Sequence, residues 1–416
     1  MRRATAGLAG ALLALAACSH RPDVLTFSGS VLGAEGTIVR RQIDRFARQH
    51  PGLTIEVRAT PDAADQRHQL YVQWLNAWAA DPDVLQLDVV WTPEFAAAGW
   101  ILPIDDAVTD ADDFFPAALS ADRWRGRLYA VPWFVDAGML YWRTDLMDAP
   151  PDTFDALTTI ARGAVADGRV ASGFVWQGAR YEGLVTVFLE HLIGFGGRIL
   201  DDDGRVVVDS PAGIQALTFM CDAIHRTRIV PEAVLTWQEE QTRFSFQNGR
   251  AAFMRNWPYA AALLGDPAQS AVAGRFAVAP MPHAAGRSAA ALGGAQLAIN
   301  ARTRQPEAAR ALVRYLTAPE QMIERAQVAG QFPARRRVYD DPRLKDALPI
   351  PPATARAIVE HAVARPVTPV YTQLSGILQI HLHRALTQQE TPAAALHAAA
   401  AAMRRLLDDA GLTAVS

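Results

Sequence analysis

The chain has 416 residues, of which 50% are hydrophobic and 20% charged, a composition that is typical of a globular protein and excludes a disordered or collagen-like chain. Its 40 basic and 43 acidic residues give a formal charge of -3, so no basic surplus indicates a nucleic-acid partner. Its 2 cysteines cannot build a disulfide framework.

The N-terminal residues have the features of an export signal. Two arginines precede an apolar run, 4–17, that is shorter than the about 20 residues a membrane-spanning helix needs. The run ends in Leu15-Ala16-Ala17-Cys18, which resembles a bacterial lipobox and implies a lipid on the Cys18 sulfur. An ordinary secretory signal with an accidental cysteine is the alternative. We expect 1–17 to be a lipoprotein signal peptide, 18–23 a tether, and the protein to be lipid-anchored in the periplasm or on the extracellular face of the bacterial membrane.

The chain after the tether begins with alternating strands and helices. Strands are predicted at 24–27, 53–57 and 83–91 from their apolar patterns, with a helix between each pair. This order predicts a doubly wound α/β sheet, in which ligands bind outside the carboxyl ends of the strands. The predicted glycine loop 28–36, which contains Glu35, and the segment around Asp88 follow two such ends.

Later segments alternate between helices and extended stretches that contain proline. Helices are predicted at 181–195, 211–227 and 391–411. Extended crossings are predicted near 131–138, 276–283 and 332–338. Several crossings between two α/β halves indicate two lobes that are joined by a hinge.

Six segments, taken in order, point to a known family: 127–138, 140–146, 174–184, 253–259, 292–294 and 365–366. They resemble the extracellular sugar-binding proteins of bacterial ABC transporters, the family 1 solute-binding proteins, in their trehalose/maltose-binding branch. The resemblance implies an α/β, periplasmic-binding-protein-like fold with two lobes, a hinge and an interlobe cleft. We expect the first lobe to contain 24–133 plus 283–333 and the second to contain 138–280 plus 336–416.

The resemblance also implies a function. The protein is expected to capture a disaccharide similar to trehalose or maltose with high affinity, as a monomer, and to deliver it to the ABC permease subunits in the membrane. The resemblance implies that the cleft closes on the ligand without converting it chemically, so we expect no cofactor and no enzymatic activity. Two alternatives stay open: a secreted carbohydrate-active lipoprotein enzyme with a glycosidase-like carboxylate pair, such as Asp88 and Asp136, and a lipoprotein adhesin without a small ligand.

The resemblance assigns ten candidate sugar-binding residues. They are Glu35, Arg67, Asp88, Phe134, Asp136, Tyr181, Trp257, Tyr259, Gly294 and Arg365. Carboxylates accept hydrogen bonds from sugar hydroxyls, arginine donates them, and an aromatic ring covers the apolar C–H face of a sugar. Phe134 stands where the branch typically has tyrosine, and Ala295 where it usually has tryptophan, which leaves the identity of the sugar open. Tyr181 either lines the cleft or only begins a helix.

Two short motifs contain residue types that bind metals. Asp201-Asp202-Asp203 precedes Gly204 but lacks the full spacing of a calcium loop, so a solvated turn is expected. His381 and His383 are two positions apart, so they fall on different faces of a helix. We therefore expect no metal site.

Overall fold

The computed structural model describes residues 24–31, 33–61 and 64–412. The expected signal peptide, the tether and Cys18 lie outside these residues. The strands are β1 (Val24–Gly29), β2 (Thr54–Ala59), β3 (Val84–Asp88), β4 (Arg123–Trp124), β5 (Arg127–Leu128), β6 (Ala130–Ala137), β7 (Met139–Arg143), β8 (Ser172–Val175), β9 (Ala251–Asn256), β10 (Phe276–Ala279), β11 (Ala290–Ile299), β12 (Phe332–Pro333) and β13 (Ala362–Val363).

The helices fill the connections between these strands. They are α1 (Gly33–Gln49), α2 (Ala64–Asn76), α3 (Thr92–Ala97), α4 (Pro116–Ala121), α5 (Phe154–Ala166), α6 (Glu182–Gly194), α7 (Pro211–His225), α8 (Glu239–Gln247), α9 (Tyr259–Gly265), α10 (Pro306–Leu316), α11 (Pro319–Ala329), α12 (Pro352–Glu360), α13 (Tyr371–Leu386) and α14 (Pro392–Asp409). Among the residues described, none of these helices has both the length and the apolar character that crossing a membrane requires.

The first sheet has the strand order β12-β6-β11-β3-β1-β2, and β13 also pairs with β11. Strand β1 runs parallel to β2 and β3, as the alternating pattern predicted, whereas β11 runs antiparallel to β3 and β6. Residues 84–87 of β3 are all buried, which is typical of a strand that is covered on both faces. Asp88 ends this strand and is only half-buried.

The second sheet has the order β10-β7-β9-β8. The chain passes from the first sheet to the second between β6 and β7, at Gly138, and returns between β10 and β11. The segment 332–338, which we expect to cross between the lobes, contributes β12 to the edge of the first sheet, antiparallel to β6, and its role as a crossing stays a prediction. An edge strand tolerates Pro333 because its missing N–H is not needed by a second neighbour.

The side chains after β12 divide between two hydrophobic cores. Val338, Leu344 and Ile358 are buried in a cluster that contains both Phe27 of β1 and Met254 of β9, so this cluster spans the two sheets. Helices α13 and α14 pack against α6 and α7 in the other cluster. The boundary of the second lobe at residue 336 therefore stays a prediction.

Helix α1 begins earlier than the sequence suggested. We expected a loop at 28–36, but the helix starts at Gly33, which places Glu35 in its first turn. A carboxylate is favourable there because it faces the positive end of the helix dipole. The helix buries Ile38, Ile43 and Phe46 on one face, so packing against the sheet fixes the direction in which Glu35 points.

Candidate functional site

Two adjoining cavities, of about 520 Å³ and 860 Å³, lie where residues of the two sheets face each other. They share Asp88, Asp136, Tyr259 and Gly294 and therefore form one cleft. All ten predicted site residues line this cleft: Glu35, Arg67, Asp88, Phe134, Asp136, Tyr181, Trp257, Tyr259, Gly294 and Arg365. Their contacts with a ligand stay a prediction.

Three carboxylates meet at the side of the cleft that the first sheet forms. Asp88 ends β3, Asp136 lies near the end of β6, and Glu35 lies in the first turn of α1. Among the residues that the structure describes, no hydrogen-bond donor reaches the Asp136 carboxylate. Burial raises the pKa of Asp136 to about 7, and the negative charges of Glu35 and Asp88 add to this shift. The carboxylate is therefore free to accept hydrogen bonds from a guest in the cleft.

Glu35 is held in place by two side chains that the sequence reasoning missed. The Gln86 amide donates to Glu35 Oε1 over 3.2 Å, and Arg325 Nη2 lies 3.6 Å from the same oxygen. The Arg325 guanidinium is buried 3.7 Å from the centre of the Trp133 ring. Burial lowers the pKa of Arg325 to about 10, and the charge of Glu35 opposes this shift. Gln86 lines the cavity and Arg325 does not, so Glu35 is held both at the cavity wall and from behind it.

Arg365 connects the two sides of the cleft. Its Nη1 donates to Glu182 Oε1 over 2.8 Å, and its Nη2 donates to the carbonyl oxygen of Leu292 over 3.2 Å and lies 3.5 Å from Asp88 Oδ1. The hydroxyls of Tyr371 and Ser375 also donate to Glu182. Both side chains line the larger cavity together with Glu182.

Glu182, Tyr371 and Ser375 were not among the predicted residues. Glu182 follows the predicted Tyr181 directly, and Tyr371 and Ser375 are four positions apart on α13, a spacing that places them on one helix face. No sequence signal indicated that this face turns toward the cleft.

Aromatic side chains form the side of the cleft that the second sheet supports. The Arg255 guanidinium lies 4.0 Å from the centre of the Trp257 ring, and the indole N–H points to Glu239 Oε1 at 3.4 Å. The Tyr259 hydroxyl donates to Glu240 Oε1 over 2.7 Å. Burial, and then the nearby Glu239 charge, raise the pKa of Tyr181 far above its usual range, so its phenol stays neutral.

The remaining predicted residues shape the smaller cavity. Arg67 donates to the carbonyl oxygen of Pro61 over 3.3 Å, and its guanidinium lies 5.5 Å from the centre of the Trp91 ring. Phe134 is buried at the wall of the cavity. Ala295 is buried opposite Phe134 in the sheet register, so a methyl group stands where the resemblance led us to expect a ring.

The arrangement suits a polyhydroxylated ligand. Carboxylates and arginines supply charged acceptors and donors, which form stronger hydrogen bonds than neutral groups, and Trp257 offers an apolar ring. Each of the two cavities has a volume in the range of small-molecule sites. In the described part of the chain, no three histidine, cysteine, aspartate or glutamate side chains are placed to hold a metal ion.

Comparison with known proteins gives a family match and several similar proteins. The family model for the bacterial extracellular solute-binding proteins matches residues 30–323. A probable ABC transporter-binding protein of Deinococcus radiodurans is 36% identical over 406 residues, which cover 94% of this chain and 96% of the relative. A maltotriose-binding protein of Pyrococcus abyssi is 27% identical over 307 residues, which cover 72% of this chain and 64% of the relative.

A solved structure supports the same assignment. Maltose-bound MalE3 of T. maritima superimposes with a TM-score of 0.81 at 41% identity and covers 92% of this chain and 100% of its own. These similarities confirm the expected two-lobed α/β fold and the expectation of a binding protein that is not an enzyme. The chain belongs to the bacterial extracellular solute-binding proteins, the family that includes the binding proteins of ABC transporters.

Proposed function

We propose that the protein captures a disaccharide such as maltose or trehalose and delivers it unchanged to an ABC permease. The observation that carries this proposal is the Asp136 carboxylate, which lies in the cleft between Glu35 and Asp88 and receives no hydrogen bond from the described residues. Sugar hydroxyls supply the missing donors. The maltose-bound relative and the maltotriose-binding relative favour a glucose-containing ligand.

Closure of the cleft follows from how the contacts are distributed. Glu35 and Asp88 belong to the side of the first sheet, whereas Trp257 and Glu182 belong to the side of the second. A ligand that touches both sides binds the closed form more tightly, and only this difference shifts the equilibrium toward closure. The permease then recognises the closed shape of a monomer whose lobes are joined by several crossings.

The anchor belongs to the same proposal. A lipid on Cys18 keeps the binding protein next to the permease, in the periplasm or on the outer face of the cell. The tetrapeptide Leu15-Ala16-Ala17-Cys18 supports this part of the proposal.

Titration calorimetry against maltose, trehalose, maltotriose and glucose tests the proposed ligand. At least one of the disaccharides is expected to bind with a Kd of about a micromolar, which corresponds to about -8 kcal/mol. Trp257→Ala is expected to weaken that binding and leave the melting temperature of the free protein nearly unchanged. Trp237→Ala is the matched control, since Trp237 lies outside the cleft cavities. Absence of heat with every sugar would overturn the proposal.

Binding is expected to strengthen as pH rises through about 7. Only the ionised Asp136 carboxylate accepts hydrogen bonds from sugar hydroxyls with both oxygens. With a pKa of about 7, about a tenth of the group is ionised at about pH 6 and nearly all of it at about pH 8. The sugar affinity is therefore expected to rise about tenfold over this pH range. The stability of the unliganded protein is expected to show the opposite trend. Because the folded pKa exceeds the unfolded value, the stability that this group contributes is lost as pH rises toward about 7.

Calorimetry and thermal melting over this pH range measure both effects. Asp136→Asn is expected to remove the pH dependence of affinity and to flatten the pH dependence of stability. Asp202→Asn, at an exposed turn, is the control and keeps both slopes. A pH dependence of affinity that survives in Asp136→Asn contradicts the assignment.

A further inference from the structure

An aromatic and basic surface lies outside the cleft. This surface, the Trp78 patch, consists of Trp78, Arg302 and Arg304. Trp78 is 58% exposed, and the Arg302 guanidinium lies 4.1 Å from the centre of its ring. Both arginines are exposed, and neither forms an ion pair with a residue in the described ranges. The patch therefore offers an unpaired positive charge beside an exposed indole.

The backbone at Trp78 makes this exposure unusual. Its φ of +56° lies in the left-handed region, which disfavours side chains with a β-carbon and normally selects glycine after a helix. A tryptophan here costs free energy both in the backbone and through the apolar surface left in water. Such an outlier points to a function for the side chain.

The patch lies at the end of the first sheet where the described chain begins. Gln305 donates to the carbonyl oxygen of Val24 over 2.7 Å. Asn300 donates to the carbonyl oxygens of Ala79 over 3.0 Å and of Pro82 over 2.9 Å. These bonds bring together the loop after α2, the turn that carries Arg302 and Arg304, and the first strand.

The tether then limits what can cover the patch. Cys18 lies six positions before Val24 in the sequence. Six residues span at most about 20 Å even when fully extended. An acyl chain on Cys18 would hold this end of the lobe within that distance of the bilayer, so the membrane surface is the partner in reach.

We propose that the Trp78 patch docks on the headgroup region of the anionic phospholipid membrane to which Cys18 tethers the protein. Tryptophan favours the membrane–water interface, and unpaired arginines near an anionic surface are attracted to it. The inference rests on the anchor that belongs to the proposed function.

This docking has a consequence for the sugar site. Val24 and Asp88 mark opposite ends of the parallel strands, so the cleft faces away from the bilayer while the patch is docked. Delivery to the permease requires release of the patch. One indole and two arginines give a contact that is weak and sensitive to salt, which suits repeated release.

Tryptophan fluorescence of the full-length lipoprotein tests the inference. The protein is reconstituted in phosphatidylcholine vesicles that contain a minority of phosphatidylglycerol and carry brominated acyl chains, which quench nearby indoles. We expect Trp78→Phe to lose at least about half of the quenching, because the interfacial indole is removed. Trp237→Phe, on the other lobe, is expected to keep it. Arg302→Gln combined with Arg304→Gln is expected to remove the dependence on phosphatidylglycerol.

Mass spectrometry of Cys18 and calorimetric sugar binding are measured on the same preparation. Equal quenching in Trp78→Phe and in the parent overturns the docking while acylation and sugar binding stand. A second outcome also overturns the membrane docking: Trp78→Phe keeps the quenching but stimulates ATP hydrolysis by the permease less than the parent does. This outcome would assign the patch to the permease. An unmodified Cys18 overturns the anchor and this inference together, whereas sugar binding remains as the separate test of capture.

Discussion

Replacing Arg255 by methionine is expected to lower the free energy of unfolding by about 3–5 kcal/mol, because it leaves the charge of Glu190 buried without its partner. Arg255 Nε lies 2.8 Å from Glu190 Oε2, and its Nη2 lies 2.5 Å from Oε1. Both side chains are fully buried. The side-chain oxygen of Gln177 accepts a hydrogen bond from Arg255 over 3.2 Å, so a second side chain besides Glu190 holds the guanidinium.

The pair lies where the chain crosses between the sheets, which gives it a role beyond stability. The backbone N–H of Ala291, in β11, donates to Glu190 Oε1 over 3.0 Å. A β-carbon at Gly138 would lie 1.9 Å from the same oxygen, so the first crossing passes directly over the ion pair. Because Arg255 also stacks on Trp257, its removal is expected to weaken sugar binding as well.

Chemical denaturation separates the buried charge from lost packing. The double variant Glu190→Leu with Arg255→Met removes both charges and is expected to recover most of the lost stability, since apolar replacements of buried ion pairs are often neutral. Arg226→Met breaks an exposed pair with Asp222 and is expected to leave the free energy of unfolding nearly unchanged. A double variant that is as unstable as Arg255→Met would show that the uncompensated charge is not the cause.

Part of the site follows directly from the sequence. The alternation of strands and helices predicts a parallel sheet, and the carboxyl ends of parallel strands meet at one edge, which places Asp88 near the Glu35 segment. Asp136, Trp257 and Arg365 came from the family resemblance, since no local pattern brings such distant positions together. All five line the cleft.

The residues that were missed act through tertiary contacts. Gln86 and Arg325 lie far apart in sequence, and the fold brings both of them to the same carboxylate oxygen of Glu35. Tyr371 and Ser375 reach Glu182 because α13 packs on α6, a contact that helical periodicity does not specify. The segment 332–338 contributes β12 to the edge of the first sheet, and its predicted role as an interlobe crossing stays a prediction.

Gly294→Ala is expected to have the second large effect, on stability and sugar binding together. Gly294 lines both cavities, and its φ of +106° is a conformation that side chains with a β-carbon rarely adopt. A β-carbon there would lie 2.3 Å from the carbonyl oxygen of Phe134 and 2.7 Å from the Cα of Val135. These are backbone atoms of the paired strand β6, so the overlap cannot be relieved by turning a side chain.

The strain must therefore separate β11 from β6 or move the strand that carries Asp136. We expect a loss of about 3 kcal/mol or more in the free energy of unfolding, from backbone strain and overpacking combined. Gly204→Ala is the matched control, because Gly204 also has a positive φ, +78°, but no heavy atom within 4 Å of the added carbon. It is expected to cost about 1–2 kcal/mol and leave sugar affinity unchanged. Because Gly294→Ala shifts the strands that line the cleft, the folded protein is expected to bind the sugar more weakly. Calorimetry at low temperature, where the variant is folded, measures this affinity. An affinity equal to that of the parent would contradict the mechanism.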